Sequence, residues 1–208
     1  VQRAVGRVQS PEFIAGLLTP EVRRCFKSIN FDLMYGLPFQ RRQRFRETIR
    51  KVADLSPDRA AIYNYYHMPE LYPHQGTIRE ADLPDVVEKA YIFADAAELL
   101  GQHGYEFIGI DHFSKPTDDL AMAKRSGTLL RHFMGYTAGR TPHLLGLGPT
   151  SISGFGNCYA HNVYSLDDYR QAVLAGRLPL LRGYRTTEDD RIRWAVMARF
   201  LAYMSVEY

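Results

Sequence analysis

Two short apolar segments separated by an amphipathic helix constrain this chain more tightly than any other feature in it. In the first segment Ile29, Phe31 and Leu33 alternate with Asn30, Asp32 and Met34, and a period of two is that of a β-strand whose side chains point to opposite faces. Gly36 and Pro38 then turn the chain. Arg41 to Leu55 sets Phe45, Ile49, Val52 and Ala53 on one helical face, and Ala60-Ala61-Ile62-Tyr63-Asn64-Tyr65 follows as a second strand. Strand, helix and strand on short links predict parallel strands with the helix covering one face. Ligands in such folds gather at the carboxyl ends of the strands, which here means Asp32 to Gly36 and Asn64 to His67.

Asp32 shares its predicted face with Asn30 and Met34 in a strand this apolarity expects to be buried. A buried carboxylate needs hydrogen-bond donors. Two sources stay open at this level: a neighbouring loop that the carboxylate ties down, or a ligand.

Before this strand, Pro11 to Lys27 carries Phe13, Ile14, Leu17 and Leu18 on a helical period that breaks at Thr19-Pro20. After the second strand, Met68 to Ala81 has no periodicity and reads as a long loop. The longest helix is expected from a capped start at Asp82-Leu83-Pro84-Asp85 to Gly104. Tyr105 to Ile110 reads as a strand leading through Asp111-His112-Phe113 into a polar loop, with a helix at Asp118 to Ser126. Leu144-Leu145-Gly146-Leu147-Gly148 and Ser151-Ile152-Ser153 bracket a glycine-rich turn. Ser165 and Asp168 have capping-box spacing, and Thr187 opens a last helix whose apolar face runs through Trp194, Met197, Ala198 and Leu201.

Composition removes several classes of function. The 208 residues suit one domain or one and a half, and 46% hydrophobic with 12% aromatic residues is ample for a core. Net charge is +3 with pI near 8.8. The basic run Arg41-Arg42-Gln43-Arg44-Phe45-Arg46 lacks an aromatic stacking platform, so it reads as solvated helix turns and no nucleic-acid partner is expected. Cys25 and Cys158 form neither a disulfide framework nor a metal spacing, which predicts a reducing, cytoplasmic setting and no metal ligands in the chain. No apolar run reaches a membrane span, and no signal-peptide order opens the chain. The first residue is Val1 and the last helix runs to Tyr208 with its apolar face unfinished, so a fragment is expected.

The seven histidines form neither an HxH nor an HExxH pair. Asp111-His112 at a strand end suits acid/base or substrate-anchoring work, or simply a loop tether. Gly146 to Gly156 matches neither a P-loop nor a dinucleotide fingerprint. Lys124, Arg125, Arg131 and His132 are residue types that bind carboxylates; exposed surface charge is the other reading.

These residues carry a resemblance. Asp32-Leu33-Met34-Tyr35-Gly36-Leu37-Pro38, Leu55-Ser56-Pro57-Asp58-Arg59, Tyr63-Asn64-Tyr65 with His67-Met68-Pro69, and Gly104-Tyr105 through Asp111-His112-Phe113 resemble the oxygen-independent coproporphyrinogen III oxidases, a radical S-adenosylmethionine family of haem biosynthesis. Asp118-Asp119-Leu120-Ala121, Gly135-Tyr136-Thr137, the glycine-rich turn and Asn157-x-Tyr159-Ala160-x-Asn162 extend it over essentially the whole chain.

The resemblance implies an α/β chain forming the last part of a partial (β/α)6 radical S-adenosylmethionine barrel over 1–115. A small, mostly helical and truncated C-terminal domain over 116–208 would follow. The implied reaction is oxidative decarboxylation of two propionates of coproporphyrinogen III to vinyl groups, with a [4Fe-4S] cluster, two S-adenosylmethionines, an electron donor and a monomeric cytoplasmic enzyme. The family's arginine and aspartate 25 positions apart, which bind S-adenosylmethionine, fall on Arg7 and Asp32; its contacts to the second S-adenosylmethionine fall on Tyr66 and Ile152. Alanine is common in the family where Tyr66 stands. Asp111, His112 and Arg131 are candidate substrate contacts. The CxxxCxxC motif, the glycine-rich strand after it and the nearby tyrosine are absent, so the catalytic residues lie outside this chain and the chain alone is expected to be inactive. The other readings are a haem chaperone of the same superfamily and a non-catalytic tetrapyrrole-binding domain.

Overall fold

The computed structural model describes residues 1–132, 135–139 and 143–206. They form two compact units, 1–121 and 122–208.

In the first unit, helices α1 (Pro11–Leu17) and α2 (Pro20–Cys25) begin where Ser10 and Thr19 accept from backbone N–H groups, each with proline in the first turn. Strand β1 (Asn30–Tyr35), helix α3 (Arg42–Leu55) and strand β2 (Arg59–Asn64) then make the expected crossover. β1 and β2 are parallel, with Asp32 opposite Ala61 and Tyr35 opposite Asn64. Helix α4 (Val86–Gln102), strand β3 (Glu106–Gly109), strand β4 (His112–Ser114) and helix α5 (Asp119–Arg125) follow.

The sheet order is β1-β2-β4-β3. Asp111-His112-Phe113 is therefore no entry to a polar loop: His112 and Phe113 belong to a strand that pairs antiparallel with both β2 and β3. Only Ile110 and Asp111 link β3 to β4, and so short a link permits a hairpin and forbids a parallel crossover. The aperiodic stretch after β2 is not structureless, since two short 3-10 turns, Pro73–Thr77 and Glu80–Asp82, carry it. Gln75 is buried and ties Met68 N and Tyr66 O together.

One core joins Phe45 and Ile49 of α3, Ile92, Ala96, Leu99 and Leu100 of α4, Ala60 and Ile62 of β2, and Phe113. Leu33 and Tyr35 of β1 pack against it. The helices thus cover the face that carries the odd residues of β1. The opposite face, Asn30, Asp32 and Met34, is exposed, which corrects the expectation of a buried Asp32. β1 is an edge strand among the described residues.

Polar ties hold the unit together. The Asp95 side chain is 8% exposed and binds Arg42 at 2.7 and 2.8 Å and Arg46 at 3.4 Å, so part of the basic run is committed to a buried carboxylate. Arg42 holds the Asp95 carboxyl below its ordinary pKa. Asp118, with 3% of its side chain exposed, takes Arg59 Nε at 2.9 Å, Ser28 Oγ at 2.8 Å and Leu120 N at 2.8 Å. Tyr105 donates to Pro57 O at 2.6 Å, and burial beside Asp58 pushes its phenol up to about 12.

The second unit holds strands β5 (Leu129–His132), β6 (Gly135–Ala138), β7 (His143–Leu144), β8 (Ile152–Phe155) and β9 (Cys158–Asn162), helix α6 (Leu166–Leu174), strand β10 (Leu180–Arg185) and helix α7 (Glu188–Tyr203). β5 and β6 form a hairpin, and β10-β9-β8-β7 form an antiparallel sheet. Strands accompany the helices here, where a mostly helical region was expected, because strands of two to six residues separated by glycines leave too short a pattern to read. The caps behave as the spacing predicted. Ser165 accepts from Asp168 N, and Thr187 with Asp190 forms a complete capping box.

Candidate functional site

Parallel pairing in the first unit brings the ends of β1 and β2 to a common edge. Residues directly opposite across a sheet share a face, so Asp32, Ala61 and His112 form one row across β1, β2 and β4. Adjacent strands lie about 4.8 Å apart, which sets Asp32 and His112 about 10 Å apart with only a methyl group between them. Sequence reasoning singled out both residues without placing them together.

Asp32 is exposed and accepts from Asn30 Nδ2 at 2.7 Å. His112 Nδ1 lies 2.6 Å from Asp111 Oδ1, and the Asp111 backbone oxygen accepts from Ile62 N at 2.8 Å. The ring also meets Tyr63 edge-on, with centroids 6.0 Å apart. The imidazole is thus held by a carboxylate on one side and an aromatic ring on another. The sequence pointed to Asp111-His112; Tyr63 went unnoticed because its contact comes from strand register alone.

At the strand ends, Gly36 adopts φ 85°, a conformation that glycine takes without strain. A Cβ there would sit 2.8 Å from Lys89 Cε and 3.2 Å from Asn64 Oδ1. Lys89 Nζ donates to Tyr65 O at 3.1 Å, and the Tyr65 hydroxyl meets His67 Nδ1 at 3.0 Å. Asn64 Oδ1 is buried without a hydrogen-bond partner. Tyr35 packs on Phe45 and Phe93, and burial, then Tyr66, then Asp111 raise its phenol pKa. Tyr66 itself is 69% exposed.

A cavity of about 600 Å³ lies along the free edge of β1, bounded by Gln9, Ile14, Asp32, Gln40, Arg44 and Lys51 among others. Its volume is within the range of cofactor sites. Asp32 has a carboxylate oxygen that Asn30 does not use, which suits a hydroxyl or amino donor such as S-adenosylmethionine offers. Arg7 does not line this cavity; it is an exposed residue just after the 3-10 turn Gln2–Val5. An iron-sulfur cluster fits less well. No group of three or more His, Cys, Asp or Glu residues able to hold a metal occurs among the described residues, and Cys25 is exposed while Cys158 is half-buried in the other unit.

In the second unit, Ile152 is half-buried on β8 opposite His161. Arg131 on β5 lays its guanidinium 4.8 Å from the ring centroid of Tyr136, its partner on β6. It borders a second cavity of about 480 Å³, together with His132, Tyr159, Tyr184 and Trp194. Asp190 at that cavity accepts from the Tyr184 hydroxyl at 2.6 Å and from Thr187, which hold its pKa at about 2. No helix among the described residues is long and apolar enough to cross a membrane.

No protein-family model matches the chain. Comparison with characterised proteins is more informative. Oxygen-independent coproporphyrinogen III oxidase of Escherichia coli is 43% identical over all 208 residues, which span 46% of that protein. The enzyme of the same name from Pseudomonas aeruginosa is 38% identical over all 208 residues, spanning 45% of its length, and that of Thermostichus vulcanus is 41% identical, spanning 64%. The solved structure of coproporphyrinogen III oxidase from Escherichia coli, described as a radical SAM enzyme, superposes with TM-score 0.92 over 100% of this chain and 48% of its own. The chain spans about half the length of most of these relatives. Along every one of its 208 residues, then, it is a homologue of the oxygen-independent coproporphyrinogen III oxidases.

Proposed function

We propose that this chain is part of a radical S-adenosylmethionine enzyme that oxidatively decarboxylates two propionates of coproporphyrinogen III to vinyl groups, releasing two CO2 with S-adenosylmethionine consumed as the oxidant, and giving protoporphyrinogen IX. The observation that carries the reading is 43% identity along all 208 residues, matching about half of the relative's length, together with a similar fold. S-adenosylmethionine bound to a reduced [4Fe-4S] cluster supplies the radical chemistry in such an enzyme. The residues here bind and orient.

Asp32 takes hydroxyl or amino donors of one S-adenosylmethionine, and Arg7 a carboxylate or ribose oxygen of the same molecule. The Asp32 oxygen that Asn30 leaves unused, at the edge of the cavity, supports this role. Tyr66 and Ile152 contact a second S-adenosylmethionine. Asp111, His112 and Arg131 anchor the substrate, with Asp111 holding the imidazole orientation. The enzyme works in the cytoplasm as a monomer with an external electron donor.

The test is anaerobic turnover by the complete protein that contains this chain. Formation of protoporphyrinogen IX with consumption of S-adenosylmethionine supports the reading. Stoichiometric haem binding without decarboxylation would assign a chaperone role instead.

A further inference from the structure

We propose that the cavity of the second unit is a binding site for a propionate-bearing pyrrole ring of a tetrapyrrole, with Arg131 as its carboxylate contact; this rests on the function proposed above. Three observations carry it. First, the Arg131 Nη1 and His132 Nε2 atoms are buried without any hydrogen-bond partner, and both residues line the cavity. A buried donor left unmatched is costly, and an anion in the cavity would satisfy Arg131 Nη1 and, in its Nε2–H form, His132. Second, among the described residues the lining adds two further arginines, Arg191 and Arg193, and a single acid, Asp190, which is already engaged. Arg193 pairs with Asp189 at 2.6 Å, and one Asp190 oxygen receives three hydrogen bonds. The polarity left at the cavity is therefore mainly cationic, which selects an anion.

Third, the remaining wall selects more than a bare ion. Tyr159, Trp194, Met197 and Ala198 make much of it apolar and partly aromatic, and about 480 Å³ exceeds what a carboxylate alone requires. The Arg131 guanidinium sits over the Tyr136 ring, 4.8 Å from its centroid, and a guanidinium offers the fork that two-point recognition of a carboxylate uses. A flat ring carrying a carboxylate arm matches both parts. A phosphate would leave the apolar wall uncovered.

Trp194 is the one tryptophan of the chain, so its emission reports on the cavity wall directly. The experiment titrates the 208-residue chain with coproporphyrin III, the stable oxidised tetracarboxylate, following Trp194 quenching. Saturable binding is expected, weakened about tenfold or more by R131Q, as fits loss of a charged bidentate contact. A198L, which fills the cavity from a helical position, should weaken it as strongly. The tetramethyl ester should not saturate. If R131Q fails to fold, as judged by circular dichroism, A198L decides alone. Unchanged affinity in A198L, or displacement of the porphyrin by inorganic phosphate at equal potency, overturns the proposal. The complete enzyme separates the two readings: decarboxylation by wild type with no loss on R131Q or A198L would remove this site and leave the proposed function standing.

Discussion

Two aspartates on the same unit should answer to substitution in opposite ways. Asp118 has 3% of its side chain exposed and serves Arg59, Ser28 and Leu120 at once. Removing one partner of a buried ion pair costs about 3–5 kcal/mol. The Arg59 side chain is 26% exposed and recovers some hydration, which brings the figure for Asp118→Ala to about 3 kcal/mol. For a chain of this size each kcal/mol moves the melting temperature by about 2–4 °C, so a fall of about 6–12 °C is expected. Asp32 is exposed and makes one hydrogen bond, to Asn30. Asp32→Ala should change stability by no more than about 0.5 kcal/mol and weaken S-adenosylmethionine binding to the complete enzyme at least tenfold. Thermal melts by circular dichroism and isothermal titration read the two effects. The reasoning fails if Asp32→Ala melts as early as Asp118→Ala while cofactor affinity is unchanged, or if Asp118→Ala costs less than about 1 kcal/mol.

Other outcomes follow from single contacts. The raised phenol of Tyr105 adds stability that is complete below its unfolded pKa near 10 and lost as pH rises toward about 12; Tyr105→Phe should flatten alkaline unfolding over that window while losing about 1 kcal/mol at neutral pH with the bond to Pro57. Asp95, with its pKa lowered by Arg42, stabilises above the ordinary carboxylate pKa and loses that contribution as pH falls through its folded value, so Asp95→Asn should shallow the acid limb of a stability-pH curve. Gly36→Ala meets Lys89, whose flexible end can give way, but keeps the strain of φ 85°, and about 1 kcal/mol of destabilisation is expected in urea melts. Reconstituting the 208-residue chain with iron and sulfide should yield no stable [4Fe-4S] absorbance, because no thiolate cluster is present to hold it; stoichiometric incorporation would refute that.

Local pattern was enough for the elements that short-range physics controls. The alternation from Ile29 to Met34, the helical period from Phe45 to Val52 and the second apolar run determined β1, α3, β2 and their parallel order. The same holds for the caps at Ser165 and Thr187, since a cap is satisfied within three residues of itself. The family resemblance was equally legible, carried by motifs spread along the whole chain.

What the sequence left undecided depends on partners far away in it. Alternation divides Asp32 from Leu33, but only the placement of α3 and α4 says which face is covered, and they cover the one opposite Asp32. The contact of Tyr63 with His112 requires an antiparallel hairpin strand to slide in beside β2, and no local period announces that. Asp118 reads as the start of a helix in sequence, yet its partners Arg59 and Ser28 stand 59 and 90 residues away. For Arg131 and His132 the sequence left carboxylate binding and surface charge both open, until the hairpin and α7 line a cavity with them and leave their nitrogens unmatched. Burial is a property of assembled elements, so the pairing of a charge is settled only when the tertiary structure decides what surrounds it.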